Sequence, residues 1–108
     1  MATGLFKNAK VSGAATSLTT LYTTPSGKYA TVHSIFITNK YNLEDLYVNV
    51  TINDGSSDYH IAYLLPVPAN IGAVIERPIN LNATETLKVQ ASRASSLDIV
   101  ANVLEFTP

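Results

Sequence analysis

This sequence predicts an all-β fold: an antiparallel β-sandwich, jelly-roll-like, of about seven or eight short strands. Apolar and polar residues alternate along most of the chain, with the period of two that belongs to extended strands. Between these runs lie turn formers such as Pro25-Ser26-Gly27, Asp54-Gly55 and Asn82-Ala83-Thr84, at near-regular spacing. The chain has 108 residues, 46% of them hydrophobic, which is enough for one core without staples.

The elements follow in order. Residues 1–10 carry little periodicity and are expected as an N-terminal arm or a short edge strand, leaving residues 11–108 as a single sandwich domain. Residues 17–24 are rich in Thr and contain Leu18, Leu21 and Tyr22. They read as a strand closed by Pro25-Ser26-Gly27, where Pro supplies a fixed backbone angle and Gly a permissive one. Residues 28–39 are the longest β-branched stretch. Strict alternation puts Val32, Ser34, Phe36 and Thr38 on one face and His33, Ile35 and Ile37 on the other. Both faces then look partly covered, as in a central strand.

The clearest strand is Leu46 to Asn53. Leu46, Val48, Val50 and Ile52 point one way, and Tyr47, Asn49, Thr51 and Asn53 the other, so one row is buried and the other faces solvent or a partner. Asp54-Gly55 breaks the run and residues 59–65 start another, which predicts a hairpin. Its loop, residues 54–58, exceeds the tightest turn, and the turn type stays open. Pro66 and Pro68 cannot donate to a ladder, so residues 65–70 are a sheet edge or a crossing between sheets.

Residues 71–75 form a short strand that ends at Arg77-Pro78, and Ile79 and Leu81 lead into the next turn. Leu87, Val89 and Ala91 then alternate with Lys88 and Gln90. After a turn at 92–96, residues 97–106 fit two templates. Leu97, Val100, Ala101 and Leu104 match helical spacing, and Ile99, Ala101 and Val103 match a strand. The β-branched Ile99, Val100 and Val103, with Asn102 a poor helix former, favour the strand.

Composition excludes several functions. Charged residues are only 14% of the chain, well below the usual quarter, and Thr, Ser and Asn fill the deficit. A polar but weakly charged surface has little repulsion to oppose association, which points to a surface covered by protein in the working state. The net charge of −1, with scattered lysines and arginines, removes the basis for strong nucleic-acid binding. There is no cysteine, hence no disulfide or thiolate site, in keeping with a reducing cytosol. The first residues lack the apolar run of a signal peptide, and no segment reaches the length of a membrane span. The sequons at Asn49 and Asn82 matter only in a secreted protein.

Chemistry has few places to reside. His33 and His60 each fall inside a strand run, and Asp45, Asp54 and Asp58 lie near His60 in sequence. A zinc or triad site needs such groups converging in space; a strand histidine on a solvent-facing row accounts for both. Residues 53–58 offer oxygen ligands but lack the spacing and bidentate Glu of an EF-hand loop, and a hairpin tip explains every one of them. No Gly-x-Ser-x-Gly elbow and no phosphate-cradling glycine loop occurs. The expectation is a non-enzyme with no catalytic residue, metal site or cofactor. Its candidate protein-contact face is Tyr47, Asn49, Thr51 and Asn53. Tyr47, Tyr59 and Tyr63 would also suit a carbohydrate-binding sandwich module, the alternative of another class.

Several blocks carry a resemblance. Leu21-Tyr22-Thr23-Thr24-Pro25-Ser26-Gly27-Lys28 runs into Val32-His33-Ser34-Ile35 and Thr38-Asn39. Tyr63-Leu64-Leu65-Pro66-Val67-Pro68-Ala69-Asn70 follows, then Leu87-Lys88-Val89-Gln90-Ala91-Ser92. Last comes Ser96-Leu97-Asp98-Ile99-Val100-Ala101-Asn102-Val103-Leu104-Glu105. In order and spacing, over residues 10–106, these blocks resemble small virion structural proteins of tailed bacteriophages, including phages of marine bacteria and cyanobacteria.

The resemblance implies a β-sandwich that works by assembly: a capsid decoration or cement subunit, or a neck, tail or fibre-attachment protein. The implied partners are other virion proteins, such as the major capsid protein or neck and tail proteins, and further copies in a homo-oligomer, with no nucleic acid and no membrane. The implied location is the virion, assembled in the host cytoplasm. No catalytic residue comes with it. The arm before Lys10 would clamp a neighbour.

Overall fold

The computed structural model describes residues 3–107, and every regular element in that range is a strand. There are nine: β1 (Thr3–Val11), β2 (Thr19–Thr23), β3 (Tyr29–Asn39), β4 (Leu46–Asn53), β5 (Asp58–Val67), β6 (Ala73–Ile75), β7 (Ile79–Leu81), β8 (Thr86–Ala91) and β9 (Leu97–Thr107). The run that fitted both templates is the strand β9, in which buried and half-buried residues alternate from Leu97 to Phe106. The residues expected as an arm or a short edge strand pair with β9 from Thr3 to Val11. Residues 1 and 2 of that expected arm lie outside the described residues.

The chain is a long hairpin folded over on itself. At its centre β4 pairs with β5 around the tip at residues 54–57. Moving outward, β3 pairs with β6 and β7, β2 with β8, and β1 with β9, all antiparallel. Successive pairs fall alternately into two sheets. One has the order β1-β9-β3-β6, with β7 also on β3; the other has the order β2-β8-β4-β5. This is a jelly roll, with β6 and β7 sharing one position alongside β3. Pro78, which has no N–H to give, lies in the gap between those two strands.

Two sheets stacked this way bury the inward rows of both. Ala30, Val32, Ile35 and Ile37 on β3 and Ile99, Ala101 and Val103 on β9 face Val48 and Val50 on β4 and Leu87 and Val89 on β8. Leu81 and Val67 complete the sides, and Ala14 and Leu97 close one end. Every member of this buried core is aliphatic, and no aromatic ring belongs to it.

Strict alternation misassigns β3. Val32 and Ile35 are both fully buried because a bulge at His33 shifts the register against β9, from Val32↔Val103 to Ser34↔Asn102. One extra residue flips the phase of everything after it. The strand is central, between β9 and the β6–β7 position. Its apolar residues on two faces come from this bulge, and Phe36 is left on the outer face, 44% exposed.

Pro66 lies within β5, which extends through it to Val67. That is tolerable because β5 is the edge of its sheet and pairs only with β4. The loop after β5 passes tightly over β3. Gly72 has φ +148°, and a Cβ there would lie 2.2 Å from the Ile37 carbonyl oxygen. Only glycine fits.

A candidate contact surface

The outer row of β4 was the face expected to meet a partner. Tyr47 is 47% exposed. Its backbone N–H donates to Ser92 Oγ at 2.9 Å, and its carbonyl accepts from the Ser92 N–H at 3.0 Å. Asn49 is occupied within the sheet: its Nδ2 donates to Gln90 Oε1 at 3.0 Å and its Oδ1 accepts from the Leu64 N–H at 2.7 Å. Gln90 Nε2 continues to the Thr16 carbonyl at 2.9 Å. The result is a polar chain running from β5 across β4 and β8 to the β1–β2 loop. It anchors a bulge, because Leu64 has φ +52° and lies where the β4–β5 register shifts.

Thr51 corrects the expectation outright. It is 0% exposed, enclosed between His60 on β5 and Lys88 on β8, its register partners, and cannot touch another protein. Its hydroxyl has no hydrogen-bond partner among the described residues. Asn53 is half-buried and serves the hairpin tip: Nδ2 donates to Asp58 Oδ1 at 2.8 Å, and Oδ1 accepts from the Gly55 N–H at 2.8 Å. Of the four residues, Tyr47 alone presents a broad open surface.

Asp45, Asp54 and His60, where chemistry was sought, have ordinary structural contacts, and His33 lies exposed at the β3 bulge. Asp54 Oδ1 accepts from the N–H groups of Ser56 and Ser57, both at 2.9 Å. Those bonds hold its carboxyl below the usual range. Asp45 Oδ1 accepts from the Ala69 N–H at 3.0 Å. His60 meets the Tyr63 ring edge-on, with centroids 5.0 Å apart. Among the described residues no group of three His, Asp or Glu converges to hold a metal ion.

The open surface is apolar, and much of it lies one strand away. On β5, Tyr59, Ile61, Tyr63 and Leu64 are exposed, Tyr63 by 68%. Between β5 and β6, where the edges of the two sheets meet, runs a groove of about 430 Å³. Leu64 and Pro66 on one side and Val74 and Ile75 on the other line it, with Glu76 and Arg77 at its rim. The outer face of the β1–β9–β3 sheet adds Phe6, Phe36 and Tyr29. Phe6 pairs across to Leu104, and Phe36 to both Val100 and Val74.

One buried charge ties the sheets together. Glu105 on β9 is 2% exposed and accepts a hydrogen bond from the hydroxyl of Tyr22 on β2, in the opposite sheet. Lys7 Nζ stands 3.1 Å from its Oε1 and Lys28 Nζ 3.9 Å. Burial pushes the carboxyl up, but the Tyr22 hydroxyl and the two lysines outweigh it and hold Glu105 below its ordinary value. The same contact raises Tyr22, chiefly through burial and then through the Glu105 carboxylate. The group is a structural clamp at the β1–β2 edge.

No protein-family model and no curated protein sequence matches this chain. Solved structures do match. A chain from the acid-stable capsid of the Helicobacter pylori bacteriophage KHP30 aligns with TM-score 0.58 and 17% identity, over 100% of this chain and 94% of that one. The two chains share a fold. The VP2 subviral particle of infectious bursal disease virus aligns with TM-score 0.58 and 12% identity, over 98% of this chain but only 32% of its own. A chain from the disulfide-linked pili of Bacillus endospore appendages aligns with TM-score 0.56 and 12% identity, over 99% of this chain and 90% of that one. At such identities the likeness is one of fold.

Proposed function

We propose that this chain is a bacteriophage virion structural protein that works by docking, as a capsid decoration or cement subunit on the assembled shell. One observation carries the reading. The buried core is wholly aliphatic, while Phe6, Tyr29, Phe36, Tyr47, Tyr59 and Tyr63 are left 44% to 78% exposed. Aromatic side chains bring large contact area at low entropic cost, and they are enriched where interfaces concentrate their binding energy. A fold that packs its interior with Val, Ile, Leu and Ala and leaves six of its nine aromatic rings exposed is furnished for contact. The low charge and the fold shared with capsid chains support the same role, and Asp45, Asp54 and Asp58 are engaged in loop and turn hydrogen bonds.

A cement role needs no chemistry. A subunit that binds the assembled lattice and not its free components stabilises the lattice by mass action, and repeated copies add avidity. Cryo-electron microscopy of particles made from a genome carrying this gene is the test. Density for the chain at symmetry-related positions on the shell is the expected result, together with earlier heat disruption of particles lacking it. Density confined to neck, tail or fibres would replace cement with an accessory role. Absence from purified particles would remove the virion role.

A further inference from the structure

The amide network that holds the β5 bulge also borders a hollow of about 270 Å³ on the outer face of the β5–β4–β8 sheet. Tyr47 and Leu64, 47% and 52% exposed, stand at its sides, and the half-buried Asn49 and Gln90 form its base. Thr16 and Ser92 complete the rim. None of the lining residues is Asp, Glu, Lys, Arg or His. Arg93, next in the chain to Ser92, is engaged elsewhere, stacked 4.0 Å from the centre of the Tyr41 ring.

The base of the hollow keeps hydrogen-bonding capacity. Asn49 Nδ2 gives one proton to Gln90 Oε1, and Gln90 Nε2 gives one to the Thr16 carbonyl. A primary amide nitrogen has two protons, so each keeps one, and neither has a second partner among the described residues. Each amide oxygen accepts one bond and retains a lone pair. Ser92 Oγ accepts from the Tyr47 N–H and has its own proton to give. The network fixes both amides in place before any ligand arrives.

Leu64 is a second, separate sign. Its φ of +52° is unusual for a bulky residue, and Asn49 Oδ1 holds it there through the 2.7 Å bond from the Leu64 N–H. The side chain nevertheless lies outside the buried core. Backbone strain without core packing to explain it marks a functional position.

We propose that this hollow binds one ring of a neutral saccharide. A pyranose carries a row of hydroxyls, each able to donate and accept, and an apolar face of C–H groups. The spare amide protons and lone pairs match the hydroxyls, and the Tyr47 ring and Leu64 offer apolar surface to the C–H face. A cation would find no carboxylate in the hollow, and an anion no basic group. An apolar ligand would bury the spare amide groups without partners. The volume is at the small end for ligand pockets, which suits a single ring with the rest of an oligosaccharide outside. Of Tyr47, Tyr59 and Tyr63, only Tyr47 lines the site. Binding here goes beyond the docking role and does not depend on it; on a particle, repeated copies would add avidity to a weak single site.

The test titrates the isotope-labelled full chain with neutral disaccharides built from glucose, galactose, mannose and N-acetylglucosamine, and follows side-chain amide resonances by NMR. At least one disaccharide is expected to shift the Asn49 and Gln90 amides saturably, with a dissociation constant on the order of 1 mM. The affinity should be the same at about 0.05 M and about 0.5 M salt, since no charge takes part. Tyr47→Ala should weaken binding at least about tenfold with an unchanged thermal midpoint. Leu64→Gly gives an independent reading. Glycine accepts the positive φ, so stability should hold or rise while binding weakens at least about threefold.

The proposal is overturned if no disaccharide shifts these amides at up to about 50 mM. Shifts confined to Tyr59 and Tyr63, binding that survives both substitutions, or binding abolished by salt would overturn it too. These outcomes are separable from the virion role. Saccharide binding by a chain absent from particles would keep the site and remove the role; a particle-bound chain that ignores every disaccharide would do the reverse.

Discussion

β4 and β5 are neighbours in one sheet, yet they expose opposite chemistries. β4 is central, between β8 and β5, and its outer row is polar. Asn49 and Asn53 spend their amides on the bulge at Leu64 and on the hairpin tip, and Thr51 is covered altogether. β5 is the edge, and there Tyr59, Ile61, Tyr63 and Leu64 stand open. Polarity on a strand face is thus a poor guide to availability. Inside a sheet, neighbours consume a polar row, and at an edge an apolar row is left over. An exposed apolar edge left undefended is an association site.

The comparison can be broken from the β4 side first. Leu46 is buried on the inward row, and Leu46→Ala should cost about 2–4 kcal/mol in urea unfolding. A loss below about 1 kcal/mol would mean that β4 is not the core strand described. Asn49→Ala removes the acceptor for the Leu64 N–H and the donor to Gln90, and should cost about 1–2 kcal/mol.

Thr51→Val should move the other way. It replaces a buried hydroxyl without a partner by a methyl of the same shape, a gain of about 1 kcal/mol. A destabilised Thr51→Val would return Thr51 to a polar role. The smallest effect on the fold belongs to β5. Tyr63→Ser should leave unfolding within about 0.5 kcal/mol of wild type while weakening binding to particles at least about tenfold. Equal losses of stability and binding would show that Tyr63 is structural.

Buried polar groups can be contrasted in the same way, since Glu105 has the partners that Thr51 lacks. The folded chain holds Glu105 below its value of 4.5, so the unfolded chain takes up its proton first as pH falls. The stabilisation is complete above that value and is lost as pH drops through the folded one. Tyr22 is raised above 10.0, so its contribution is complete below about pH 10 and is lost as pH climbs toward the folded value. Thermal midpoints against pH should therefore fall at both ends. Tyr22→Phe should flatten the alkaline limb. Glu105→Gln should only soften the acid limb, because Asp98, held down by the Gly13 N–H and Lys40, also contributes there.

What the sequence disclosed follows from what a period-of-two pattern can carry. The bounds of Leu46–Asn53 and the burial of Leu46, Val48 and Val50 were legible, because a strand with one buried face alternates along its length. β9 was ambiguous because a short apolar run fits two templates, and only pairing with both β1 and β3 decides. The bulge at His33 left no mark: one inserted residue looks like an ordinary strand residue until its partners are known. Thr51 was misplaced because burial by neighbours across a sheet is not a local property. Glu105 gave no signal either, since its partners Tyr22 and Lys7 lie far away in the chain. The exposed edge at β5 was partly visible, in two prolines and two tyrosines whose purpose needed the topology.

The nested hairpin also has a consequence in time. Its innermost pair closes over residues 54–57, and its outermost pair joins Thr3 to Thr107. Closing distant segments costs more chain entropy than closing near ones, and topologies rich in such contacts fold slowly. Closure is therefore expected to travel outward from the β4–β5 tip, with β1 docking last, after most of the core has formed. For an interval during folding, the edge of β9 stands open, and it accepts whichever copy of β1 arrives first.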